Sequence, residues 1–117
     1  MNKRVLLAVL LSIAIVPISQ AVLTQQDPIT EYFRNQHGRV LGQIPAVNGS
    51  IAVGITNDTV SLVRFNLAGV TQSKSTLGSV NEFDNPESAT IAINPDQTVN
   101  VEIFGQNIGT AFLEIAL

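Results

Sequence analysis

The sequence predicts an all-β fold, a small antiparallel β-sandwich preceded by an N-terminal apolar helix and a short second helix. Three observations carry this expectation. From Arg39 onward, apolar and polar residues alternate with period two, so each run offers one face to a core and one to water. These runs are short, recur about every ten residues, and are separated by Gly, Asn and Pro turns, the spacing of an immunoglobulin-like or jelly-roll-like sandwich or of a small barrel. The chain has 117 residues, 45% of them apolar, which suits one domain with a core.

The N-terminal segment is read first. Met1-Asn2-Lys3-Arg4 precedes VLLAVLLSIAIV (Val5 to Val16), then Pro17-Ile18-Ser19-Gln20-Ala21. A basic start, an apolar stretch and a small-x-small ending match a secretory signal peptide, with cleavage after Ala21. The same residues also fit a retained membrane anchor. Val5 to Leu23 is just short of the roughly 20 residues that cross a bilayer, and Val5, Leu6, Leu7, Leu10, Leu11, Ile13, Ile15 and Val16 are the candidate membrane-segment residues. Lys3 and Arg4 would hold the N-terminus inside and place the rest outside. Either way the expected location is exported: extracellular, at the cell surface, or anchored in a membrane, a virion membrane included. The domain plan is therefore 1–21 as signal or anchor, 22–38 as a short helical connector, and 39–117 as the β-sandwich.

In the connector, Asp27-Pro28-ITEYFRNQH-Gly38 predicts one helix. Asp27 caps free N–H groups, Pro28 needs no donor at the first helical position, and Gly38 is expected to end the helix in the left-handed conformation. Ile29, Tyr32, Phe33 and Gln36 share a face. That face serves either as a lid on the sheet or, with Arg34 and Arg39 beside Tyr32 and Phe33, as a contact with lipid headgroups.

The strands follow. Val40–Ile44 and Ile51–Ile55 flank Asn48-Gly49, a strong hairpin signal because a type I′ turn needs two residues of positive φ. Thr59–Leu67 is a nearly continuous apolar run, expected as a central strand. Gln72–Ser79 is expected as a polar loop and Val80–Phe83 as a weak strand. Ser88–Ile93, Thr98–Phe104 and Ala111–Leu117 alternate clearly and are separated by Asn94-Pro95-Asp96-Gln97 and by Gly105–Gly109. The last run, with Ala111, Leu113, Ile115 and Leu117 on one face, is a candidate assembly edge, because an unpaired strand is a template for strand addition.

Composition limits the function. Charged residues are only 13% of the chain. After residue 21 the cations are Arg34, Arg39, Arg64 and Lys74 against nine carboxylates, a balance of −5. Four scattered cations do not form the clustered basic surface that binding to phosphates requires, so nucleic acid is not an expected partner. With no Cys there is no disulfide framework, and a small exported domain must rely on its core, a metal or neighbouring subunits.

The residue types of catalysis are also scarce. Nucleophilic catalysis needs a base, usually His, and the single His37 sits at the expected end of the helix. Zinc needs several Cys, His or carboxylate ligands, and no Gly-rich phosphate loop is present. The acids of Asn81-Glu82-Phe83-Asp84-Asn85-Pro86-Glu87 are the one local candidate for a metal: Glu82, Asp84 and Glu87 are oxygen donors of the kind calcium takes, although this is also ordinary turn composition. No other cofactor is expected. Lys74 is a candidate for a covalent cross-link to an Asn or Asp, and Asn48-Gly49-Ser50 and Asn57-Asp58-Thr59 match the glycosylation sequon.

These features point to a non-catalytic structural protein. The expected role is a self-assembling subunit whose partners are copies of itself or other subunits, with the membrane added if residues 1–21 are retained. The settings are an extracellular filament or coat, or the virion of a membrane-containing virus. The alternative is a secreted or surface binding module, dependent on carbohydrate or calcium.

Overall fold

A computed structural model describes residues 27–107 and 109–117. The signal or anchor expected over 1–21 lies outside them, and among the described residues no helix is long and apolar enough to cross a membrane. Among the described residues the fold is mostly β, with two antiparallel sheets and one helix.

Helix α1 spans Pro28–Asn35. Asp27 accepts a hydrogen bond from the backbone N–H of Ile29 (3.4 Å) and another from the Thr30 hydroxyl (3.2 Å), satisfying donors that the first turn leaves open. Glu31 and Arg34 pair at 2.9 Å on the exposed side. Gly38 does not take the left-handed position expected of it. His37 does, with φ of 59°. Gly38 is needed for space instead, since a Cβ there would lie 1.7 Å from the carbonyl oxygen of Ile55.

Strands β1 (Val40–Ala46), β2 (Gly49–Thr56), β3 (Thr59–Asn66) and β4 (Thr71–Ser79) form one sheet in that order. The expected β1–β2 hairpin is present, but its turn is displaced by one residue. Ala46 pairs with Gly49, so Val47 and Asn48 form the turn, and of these two only Asn48 has positive φ.

Two expectations are corrected at β4. The polar stretch Gln72–Ser79 is not a loop: it pairs with β3 from Thr59↔Ser79 to Phe65↔Thr71. Residues 71–76 are exposed on both faces, and without an apolar face the stretch shows no period-two signal. Val80–Phe83 is not a strand but a series of tight turns, with the N–H of Glu82 donating to the Ser79 carbonyl and that of Asn85 to the Val80 carbonyl. Val80 and Phe83 are apolar because they pack against the core.

Strands β5 (Ser88–Ile93), β6 (Thr98–Phe104) and β7 (Thr110–Ala116) form the second sheet, again in chain order. Both sheets are simple meanders. Neither the Greek-key order of an immunoglobulin-like sandwich nor that of a jelly roll is formed, because every pairing joins consecutive strands.

The domain has three layers. Between the sheets lie Ile51, Val53, Val60, Leu62, Val99 and Ile103, all buried. On the other side of the first sheet, Ile29 and Phe33 of α1 pack on Ala52, Val63 and Phe65. Thus β2 and β3 are covered on both faces, which is why Thr59–Leu67 reads as a continuous apolar run. The sheets meet along β1 and β5, where a Cβ on Gly42 would lie 2.1 Å from the Ala89 carbonyl oxygen. Arg39 fastens that seam by donating to the carbonyls of Pro86 (2.8 Å) and Glu87 (3.4 Å).

The helix is therefore a lid on the sheet. Phe33 is fully buried, with its ring edge-on to Tyr32 at 5.2 Å and to Phe65 at 6.3 Å. Phe33 is committed to the core, and Arg39, itself exposed, is committed to the β5 seam.

Candidate functional site

The carboxylates singled out as calcium ligands do not converge. Glu82 accepts from the Ser79 backbone N–H (3.0 Å) while the Ser79 hydroxyl accepts from the Glu82 N–H (3.1 Å), a reciprocal clasp that closes one turn. The Asp84 carboxylate accepts from the backbone N–H and the side-chain amide of Asn107, tying this turn to the β6–β7 connection. Glu87 is exposed at the start of β5, and its backbone N–H donates to the Phe104 carbonyl (2.8 Å). Among the described residues, no group of three or more His, Asp or Glu side chains is placed to hold a metal ion. Glu82 and Asp84 organise turns.

Lys74 lies in the exposed part of β4, opposite Val63. Of the two sequons, Asn48 is in the β1–β2 turn and Asn57 in the β2–β3 turn. His37 sits in the link between α1 and β1.

The last strand forms a distinctive surface. β7 pairs with β6 on one side, from Thr98↔Ala116 to Phe104↔Thr110, and among the described residues has no strand on the other. Ala111, Leu113 and Ile115 point inward and are half-buried against the core, while Leu117 follows the strand and its N–H donates to the Gln97 carbonyl (3.1 Å). Alternation turns Phe112 and Glu114 outward. Phe112 is 76% exposed, unusual for a side chain with that much apolar area.

Pairing across the sheet sets Thr90, Glu102 and Phe112 in one row and Ala92, Asn100 and Glu114 in the next. These six residues line an open depression of about 620 Å³ on the outer face. Thr90 steadies one of its acids by donating to Glu102 (3.2 Å), and the Thr98 hydroxyl oxygen lies 3.2 Å from the Glu114 carboxylate. Thr98 donates to Asp96 through its side chain and backbone N–H, and these two bonds hold the Asp96 carboxyl below the ordinary carboxylate range. The outward position of Phe112 was readable from alternation in the last run. Its row partners were not, because cross-strand register is absent from local pattern.

No family model matches this chain, and no curated protein or solved structure does either.

The sheet edges differ in what they present. β1 and β5 approach each other and cover one side. β4 is lined with Gln, Ser and Thr around a central Lys74, the kind of polar, charged edge that resists strand addition. β7 carries Phe112, Leu113 and Ile115, with Glu114 its one charge.

Proposed function

We propose that this chain is a non-catalytic structural subunit, exported or anchored through residues 1–21, that contributes its β domain to an assembly. The setting is an extracellular filament or coat, or the virion of a membrane-containing virus. The observation that carries this reading is β7, an edge strand with no outer partner among the described residues and an exposed Phe112. A strand from a second subunit laid along β7 gains backbone hydrogen bonds from the edge, while Phe112 supplies apolar contact area at its side. The uncharged polar surface and the absence of cross-linking cysteines support the same reading.

The test is the association state of the full chain in mild detergent, followed by sedimentation equilibrium. Multimers with contacts above about 1,000 Å² are expected. Phe112→Lys should shift them toward monomer at an unchanged melting temperature, because that side chain lies outside the core. A wild-type chain that stays monomeric at high concentration would remove the proposal.

One observation favours a second reading, a surface module that binds carbohydrate. Phe112 stands beside Asn100, Glu102 and Glu114 in the open depression, an apolar ring next to hydrogen-bonding groups. Calorimetric titration with neutral oligosaccharides distinguishes it, since binding that Phe112→Ala abolishes would support the module over the subunit.

A further inference from the structure

The two ends of the domain differ in chemistry. At one end lie the β2–β3 turn and the β4–β5 and β6–β7 connections, with Asp58, Glu82, Asp84 and Glu87. At the other lie the β1–β2, β3–β4 and β5–β6 turns, brought together where Val47, Leu67 and Gln97 line one cleft. Among the described residues, six large apolar side chains are exposed, and five of them belong to this second end: Val47 and Leu67 at 83% each, Val70 at 59%, Ile93 at 40% and Leu117 at 38%. Apolar turn tips do not stabilise the isolated domain. Leu67 and Val70 sit in a turn already fixed by Asn66, whose side chain accepts from the N–H groups of Ala68 and Val70 at 2.9 Å each.

The chain also enters the domain at this end. Asp27 and Pro28 line a small cleft with Leu67 and Gly69, and a Cβ on Gly69 would lie 2.5 Å from the Cβ of Pro28. Only Thr24, Gln25 and Gln26 separate Asp27 from Leu23, where the apolar run begun at Val5 ends. From Leu23 to Asp27 the fully extended chain reaches about 14 Å. With residues 5–23 in a bilayer, this end of the domain cannot stand clear of the bilayer surface.

We infer that the end bearing Val47, Leu67 and Val70 is a lipid-contacting surface that seats the domain on the membrane, with the acidic end pointing away. The inference rests on the anchored form of the proposed function. The charged side chains near the contact include Asp27, already committed to capping α1, Asp96 with Glu114 close by across Thr98, and Arg64. These do not make a basic patch, so the contact is apolar and zwitterionic lipid suffices.

The chain has no cysteine, so single labels are clean. Leu67→Cys and Asn81→Cys, both at exposed positions, each carry a polarity-sensitive fluorophore in the full chain reconstituted into phosphatidylcholine vesicles with shallow nitroxide-labelled lipid. The label at 67 should shift to the blue and be quenched several-fold more than the label at 81, and adding Val47→Asp should reduce that quenching. Equal quenching at both positions in a chain that floats with the vesicles overturns the seating and leaves the anchor standing. A chain that does not float with vesicles overturns the anchored reading and the seating with it.

Discussion

At the residue scale, single atoms decide the joints of this domain. Gly38 has room for hydrogen only, and around it Asn57 donates to the Gln36 carbonyl (2.6 Å) and Ile55 to the Arg39 carbonyl (2.8 Å). Gly38→Ala must push the α1–β1 link off these bonds. We expect a loss of about 1–3 kcal/mol or more, read from denaturant unfolding. Asp96 makes a gentler prediction. Its folded pKa lies below its unfolded value, so its contribution to stability is present above the unfolded pKa and is lost as pH falls through the folded one. In Thr98→Val the hydroxyl donor is gone and the backbone donor remains. A carboxyl-carbon NMR titration should then show the Asp96 pKa moving up toward the ordinary carboxylate value, without fully reaching it.

At the element scale, α1 stands out. Eight residues are too few for a stable helix in water; this one persists because Ile29 and Phe33 are buried on the first sheet, with a phenyl ring occupying the space above Gly54. Phe33→Ala should cost about 3–5 kcal/mol, and the loss should appear as reduced helical and aromatic circular dichroism before the sheets unfold. This helix was legible in the sequence through its cap and its apolar spacing. So were β1–β3 and β5–β7, where alternation or a continuous apolar run marks which faces are covered. β4 was not, since a strand wet on both faces leaves no hydrophobic pattern. Val80 and Phe83 misled for the complementary reason: apolar side chains that plug the core from a turn imitate a short strand. For the candidate surface, the last run was recognisable as an edge. The depression around Phe112 required the register of three strands, and local pattern does not encode register.

At the scale of the whole molecule, the surfaces sort by direction. One side carries the open edge of β7, one end carries the apolar turns, and the opposite end carries four acids held in turns or exposed near them. A domain seated by its apolar end keeps β7 parallel to the bilayer normal or inclined to it, available to a neighbour seated the same way. Assembly and anchoring then use separate residues. Phe112→Lys should therefore lower association in detergent without changing flotation with vesicles, and Val47→Asp should leave association intact. A variant that loses both properties at once would show that one surface serves for both.

The strand order has a consequence for how the chain is made. Since every strand pairs with its neighbour in sequence, the helix and the first four strands hold all their hydrogen-bonding partners before the last three have left the ribosome. That early half is complete as a sheet yet lacks its cover, because Ile51, Val53, Val60 and Leu62 wait for Val99, Val101 and Ile103. During synthesis the growing chain thus passes through an interval with one greasy face bare.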